Sequence, residues 1–270
     1  MKHLIEPQQL NDQLGHSNLI IVDLCNASLY EQQHIPGAVH LAGQHLVAGT
    51  PPVPGACPEL SQLAEVMAYL GIDDSKQVVL VDDEGGGWAG RMAWSMDVLG
   101  LNNWTYLNGG IVPWIKESFV TESTANQPTS IEPIASPSQS TDARITSDEI
   151  VKLLNDPTFA VWDARSPGEY TGDIIRSARG GHIPNAINLE WTELMDRGNN
   201  LRIREDAQQI LNSLGLNKDK KIATHCQSHH RSSFTYMVAR ILGYENIRGY
   251  DGSWAEWGNL DHTPIELGPK

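Results

Sequence analysis

The 270-residue chain is poor in three things, and each scarcity closes off a class of function. No apolar run approaches the roughly 18 residues that a membrane-spanning helix needs. The opening Met1-Lys2-His3-Leu4-Ile5-Glu6-Pro7 lacks the apolar stretch of a secretory signal, so a cytoplasmic protein is expected. Cysteines are few: Cys25, Cys57 and Cys226 are odd in number and unrelated in spacing. A disulfide framework is therefore not expected, and thiol chemistry in a reducing compartment is. Basic residues are also scarce, 19 Lys and Arg against 33 Asp and Glu, for a formal net charge of -14. Nucleic acid and anionic membranes demand a basic face, so neither is an expected partner.

What is present is enough apolar material, 40% of residues, to bury two ordinary cores. The charge is uneven: residues 1–135 carry 4 basic and 15 acidic side chains, net -11, and residues 136–270 carry 15 and 18, net -3. The second half is thus where an anion is better tolerated, although taken alone the asymmetry is better explained by a solvated acidic surface on the first half.

The two halves are also related. Ile20-Ile21-Val22-Asp23, Tyr30-Glu31 and His34-Ile35-Pro36-Gly37-Ala38 are answered by Ala160-Val161-Trp162-Asp163, Glu169-Tyr170 and His182-Ile183-Pro184-Asn185-Ala186. Further on, Leu99 and Leu242, Asn108 and Asp251, and Trp114 and Trp257 are each 143 residues apart. Short apolar strands alternating with helical patterns predict βαβ units, hence an α/β fold with a parallel sheet in each half. The Ser-, Thr- and Pro-rich stretch 121–143 reads as an extended linker between domains at 1–120 and 144–270.

Chemistry concentrates in Cys226-Gln227-Ser228-His229-His230-Arg231, which follows the strand Ile222-Ala223-Thr224 and precedes a helical stretch from Ser232. In such sheets ligands bind beyond the carboxyl ends of the strands, where free helix N–H groups face them. A thiol there, beside Arg231 and with His225, His229 and His230 as conditional cations, is favoured as thiolate. Cys25 and Cys57 sit in no such basic turn and are expected to be inert. No metal is expected, because the cluster lacks a second ligand pair at zinc spacing. No cofactor is expected either: Gly85-Gly86-Gly87-Trp88-Ala89-Gly90 fits a dinucleotide fingerprint, but Asp82, Asp83 and Glu84 before it repel a pyrophosphate.

Asp163-Ala164-Arg165-Ser166-Pro167-x-Glu169-Tyr170, Gly181-His182-Ile183-Pro184-x-Ala186, the Cys226 loop and Gly249-Tyr250-Asp251-Gly252-Ser253-Trp254-x-Glu256-Trp257 together resemble the rhodanese family, in its tandem-domain thiosulfate sulfurtransferase form. The loop is similar to that of a bacterial subgroup. The resemblance implies two rhodanese-like domains, each a mainly parallel sheet flanked by helices, of which the second is active. It implies thiosulfate:cyanide sulfurtransfer through a Cys226 persulfide, with thiosulfate as donor, cyanide or a thiol as acceptor, and Gln227, Ser228, His229, His230 and Arg231 as the binding loop. Asp83 falls opposite Cys226 in the repeat and cannot accept a sulfane sulfur, so the first domain is expected to be silent.

Glu169 occupies the place where some relatives carry a second substrate-binding arginine, leaving Arg165, Arg176 and Arg179 as substitutes and Trp254 as a possible wall of the cleft. A 3-mercaptopyruvate sulfurtransferase and a persulfide carrier serving a protein partner are the alternatives. A cysteine phosphatase is disfavoured, since four residues rather than five separate Cys226 from Arg231. The protein is expected to be a monomer.

Overall fold

The computed structural model describes residues 2–133 and 143–269. The described chain forms two compact units: the first comes mainly from the first half plus Met195–Ile203, the second mainly from the second half plus Val47–Cys57. In chain order the first half supplies β1 (Leu4–Ile5), α1 (Pro7–Asn11), β2 (Leu19–Asp23), α2 (Ala27–Gln32), β3 (Val39–His40), α3 (Leu60–Tyr69), β4 (Gln77–Val81), α4 (Gly87–Val98), β5 (Trp104–Leu107) and α5 (Ile111–Lys116). The second supplies α6 (Ser147–Leu153), β6 (Phe159–Asp163), α7 (Pro167–Thr171), β7 (Ile187–Asn188), β8 (Met195–Asp196), β9 (Arg202–Ile203), α8 (Ala207–Ser213), β10 (Lys221–His225), α9 (Arg231–Ile241), β11 (Ile247–Gly249) and α10 (Ser253–Trp257).

Both main sheets are parallel, as the strand-and-helix alternation predicts. Their orders are β1-β5-β4-β2-β3 and β11-β10-β6-β7, and β8 and β9 form a separate antiparallel pair. The duplication is visible in this order, because β5-β4-β2-β3 corresponds strand for strand to β11-β10-β6-β7. The place of β1 is taken in the second unit by a parallel bridge between Arg144 and Gly249. Central strands such as Val78-Val79-Leu80-Val81 are fully buried, as strands covered on both faces must be.

In the second unit the chain runs from β6 outward to β7, then returns to β10 on the other side of β6. The crevice at the carboxyl ends of β6 and β10 is therefore a topological switch point, the place where open α/β sheets bind ligands. β6 ends at Asp163, and β10 ends at His225, one residue before Cys226.

The repeated features outside this crevice are scaffold. His34 and His182 are buried, stack on Tyr30 and Tyr170 at 3.8 and 3.7 Å between centroids, and place Nδ1 on the carbonyls of the same tyrosines. Trp114 Nε1 donates to the Val120 carbonyl and Trp257 Nε1 to that of Pro264, both at 2.9 Å. Residues 121–133 contain no helix or strand and are tied to the first unit: Glu122 pairs with His34, Asn126 donates to the Ala38 carbonyl and Ile131 N–H to Ala68. Positions 134–142 of the expected linker lie outside the described residues. Among the described residues no helix is long and apolar enough to cross a membrane.

Trp257 belongs to the same apolar cluster as Tyr250, Trp254 and Ile145 and has no solvent exposure. Trp257→Ala is expected to destabilise the protein by about 3–5 kcal/mol, measured as a lowered midpoint in urea unfolding.

Candidate active site

The loop after β10 is folded so that its carbonyls turn outward and are occupied. Trp254 N–H donates to the Cys226 carbonyl and Ala255 N–H to that of Gln227, both at 2.9 Å. The His229 carbonyl accepts from the Ser233 hydroxyl and the His230 carbonyl from Ser233 N–H. Backbone polar groups inside a protein must find partners, and here the outer partners leave the N–H side free to turn inward. His229 sits at φ 54°, in the left-handed region, which completes the curl into α9.

Cys226 lies within this ring, 1% exposed. Burial works against its thiolate, but the Arg231 charge, the Ser232 hydroxyl and the backbone N–H groups of Ser232 and Ser228 outweigh it, and its pKa is lowered. Cys25 is also buried, yet its thiol is pushed far up by burial and by the neighbouring Asp23 carboxylate. Two buried thiols in one chain are therefore driven in opposite directions by their surroundings. Among the described residues no cluster of His, Cys, Asp or Glu is arranged to hold a metal ion.

Arg231 does not stand alone. Nη1 and Nη2 grip Glu169 Oε2 and Oε1 at 2.7 and 2.9 Å, and Arg176 Nε lies 3.2 Å from the same carboxylate. Burial pushes the Glu169 carboxyl up, but the Arg231 pair and its bonds to Ser166 hold it down to about 2. Glu169 is thus ionised throughout the neutral range, and the triad Arg176, Glu169, Arg231 carries one net positive charge.

Beneath the loop, Asp163 is fully buried; burial raises its pKa, but a protonated His225 and Arg165 lower it, and at neutral pH, where His225 is uncharged, the Arg165 salt bridge holds the carboxylate. His225, facing it at 3.5 Å, is pushed by burial down to about 4 and is neutral at pH 7. This corrects the expectation that His225 adds a conditional charge. His229 is fully buried, with Nδ1 2.8 Å from Ser232 Oγ. His230 is half-buried, its ring edge-on to Trp191. Gln227 Nε2 donates to the Arg176 carbonyl and to Ser177 Oγ, both at 3.3 Å.

Three residues expected at the cleft are placed elsewhere. Arg165 is 1% exposed: Nε and Nη2 neutralise Asp163, Nη2 also donates to the Gly181 carbonyl, and the guanidinium lies 4.2 Å over the Trp254 ring. A buried carboxylate at the end of β6 requires such a partner, so this arginine is not available to substrate. Arg179 donates to the carbonyls of Trp257, Leu260 and Thr263, closing the chain after α10. Trp254 is 1% exposed, with Nε1 on the Arg179 carbonyl, and packs rather than lining a cleft.

In the first unit the corresponding loop is already filled. Asp82 Oδ1 accepts Gly86 N–H at 2.8 Å, Asp82 Oδ2 accepts Ala89 N–H at 3.0 Å, and Glu84 Oε1 accepts Trp88 N–H at 3.1 Å. The chain's own carboxylates occupy the amide groups where an anion would bind.

A family model described as the Rhodanese-like domain matches this chain twice, over residues 6–117 and 146–260. The chain belongs to the rhodanese family. A thiosulfate sulfurtransferase of Pseudomonas aeruginosa is 43% identical over 267 residues, covering 98% of this chain and 97% of that protein. One of Azotobacter vinelandii is 44% identical over 270 residues, with the same coverage. The sulfur carrier protein TtuD of Thermus thermophilus is 31% identical over 254 residues, 89% of this chain and 87% of that one. Among solved structures, the anaerobic ergothioneine biosynthesis enzyme of Chlorobium limicola superposes with a TM-score of 0.87 at 23% identity, over all of this chain and 71% of that one, a likeness of fold alone.

Within this rhodanese fold, three contributors to the site escape the sequence reading. Glu169 is read as a repeated motif residue and as the absence of an arginine, not as the residue that clamps Arg231. Ser232 supports the sulfur directly. Ser253 Oγ accepts the Cys226 N–H at 3.3 Å. Ser232 carries a readable signal, since it is the first polar side chain after the loop arginine; the other two are distant in sequence.

Glu169 is the N3 residue of a capping box with Ser166, a role glutamine also fills. Glu169→Gln thus removes the charge and keeps the cap. Because the folded pKa is depressed, the ionised Glu169 contributes stability above the unfolded carboxyl's pKa of about 4.3. That contribution is lost as pH falls through about 2. Urea unfolding of both proteins from pH 6 downward is expected to show wild type more stable at pH 6, with the gap closing below about 4.3.

Proposed function

We propose that this chain is a thiosulfate sulfurtransferase in which Cys226 of the second domain, residues 144–270, is the nucleophile, while the domain at 1–120, joined through 121–143, is silent. The supporting observation is a buried thiol whose thiolate is favoured, ringed by backbone amides at the switch point of a parallel sheet. Two relatives above 40% identity carry that activity in their names.

The Cys226 thiolate attacks the outer sulfur of thiosulfate, the S–S bond breaks, and sulfite leaves with the bonding pair. The resulting persulfide keeps the negative charge on its terminal sulfur. Its amide ring and Arg231 stabilise that charge in a site from which water is largely excluded. Cyanide then attacks the terminal sulfur, thiocyanate departs, and the thiolate is restored. A thiol acceptor closes the cycle in the same way. Gln227, Ser228, His229 and His230 contribute mainly through the backbone they supply, and Arg231 through its charge.

A second reading, transfer of the persulfide to a protein, draws on the 31% identical sulfur carrier and on the 1% exposure of Cys226, which shields a stored sulfur. The protein acts as a monomer in the cytoplasm, where three cysteines outside any disulfide fit a reducing environment.

Exposure to thiosulfate is expected to add the mass of one sulfur atom to the intact protein, localised to Cys226, and cyanide is expected to remove it within the time of a turnover. Cys226→Ser abolishes both label and thiocyanate formation, while Cys25→Ser retains them. A label on another cysteine overturns the site, and a label that cyanide leaves in place favours the carrier reading.

A further inference from the structure

Of the five carbonyls from Cys226 to His230, those of Cys226, Gln227, His229 and His230 are held by hydrogen bonds described above. The Ser228 carbonyl faces something different, the strap Val47–Cys57, which the chain contributes to the second unit from far upstream. The strap is folded on itself: Ala48 N–H donates to the Ala56 carbonyl at 2.8 Å, and Thr50 and Val53 form an antiparallel bridge. Near its base, next to Ala56, the backbone of Gly55 rests on Ser228. A methyl group built on Gly55 would overlap the Ser228 carbonyl oxygen and lie 2.5 Å from its carbon. Both partners are backbone, so neither has a flexible side chain to move aside. Glycine at position 55 is thus required by close approach rather than by a turn.

The strap is also latched. Cys57 N–H donates to Asp251 Oδ2 at 2.8 Å, and Arg144 holds the same carboxylate through Nε at 2.7 Å and Nη2 at 3.0 Å. Asp251 stands two residues before Ser253, whose hydroxyl accepts the Cys226 N–H, and three before Trp254, whose N–H holds the Cys226 carbonyl. One latch therefore ties the strap to the segment that supports the sulfur-bearing residue itself. Ser228 matters to the chemistry because its own N–H is among the groups that favour the Cys226 thiolate.

We propose that Gly55 is a positioning residue of the sulfurtransfer site: seated on the Ser228 carbonyl and anchored through the Cys57, Asp251 and Arg144 latch, it fixes the Ser228 backbone so that its N–H faces the Cys226 sulfur. The strap thereby determines how well the loop holds an anionic sulfur. The inference rests on the sulfurtransferase reading for its kinetic consequence, but not for its effect on the thiol.

Two variants test it in the full-length protein. Gly55→Ala must displace Ser228, and Arg144→Gln loosens the latch at a partly exposed position. The pH dependence of Cys226 alkylation by iodoacetamide, followed by mass spectrometry, reads the thiolate directly; steady-state turnover with thiosulfate and cyanide reads the chemistry. For Gly55→Ala the alkylation midpoint is expected to rise by about one pH unit, and kcat/KM for thiosulfate to fall by about 10- to 100-fold. Arg144→Gln moves both in the same direction by a smaller amount. A folded Gly55→Ala with the wild-type alkylation profile overturns the proposal. If Gly55→Ala does not fold, a wild-type profile in Arg144→Gln overturns it. Absence of thiosulfate turnover in the wild-type protein sinks the sulfurtransferase reading instead, and the alkylation profiles still decide the role of the strap.

Discussion

The attraction between the Arg231 guanidinium and the Cys226 sulfur is the interaction on which the rest of the site depends. A thiol with 1% exposure would ordinarily be driven toward its neutral form, and the chain around it carries a net charge of -14. Arg231 reverses that tendency with help from hydrogen bonds at Ser232 and Ser228. A guanidinium that must face one sulfur needs its own fixed geometry, and Glu169 supplies it with a bidentate pair. The carboxylate cancels part of the field it organises, so the site exchanges strength of charge for certainty of position. Arg176, the more exposed partner of Glu169, brings the triad back to one net positive charge.

Duplication makes the same logic testable against its own failure. Both halves present a loop at the end of a central parallel strand, followed by a long helix, and both must satisfy the first amides of that helix. In the second half these amides surround a sulfur. In the first, Asp82 and Glu84 take them up from within the chain. The first half is therefore self-occupied: a cysteine in place of Asp83 would leave Asp82 in the cradle. Carboxylates in the loop between strand and helix thus separate a loop that binds itself from one whose amides face a sulfur.

Much of this was readable in the sequence because duplication and hydrophobic alternation are local patterns. The parallel sheets follow from runs such as Val78–Val81 and from strand spacing, and the Cys226 loop from a basic cluster in an acidic chain. What escaped was partnership at long range. Arg165, Arg179 and Trp254 look like site residues because polar or aromatic groups near a motif invite that reading, yet each is consumed by a neighbour: Asp163, the carbonyls after α10, and the Arg165 and His225 side chains. His225 looks like a cation until its burial is known, which removes its charge. Glu169 shows the converse error, a residue read as a lost function that is in fact bound to the loop arginine, Arg231.

The loop geometry itself explains why so few of its side chains need be of one type. A cradle of amides works when the opposite face of each peptide is restrained, and here the restraints come from three places: α10 holds the carbonyls of Cys226 and Gln227, Ser233 holds those of His229 and His230, and the Val47–Cys57 strap abuts that of Ser228. The residues named by the loop motif therefore specify the site only in part. Its stiffness is set in part by groups outside the loop, from segments about 170 residues before Cys226 and about 30 after it. A preorganised amide ring of this kind needs no reorganisation when charge develops on sulfur, which is why the supports matter as much as the loop they support.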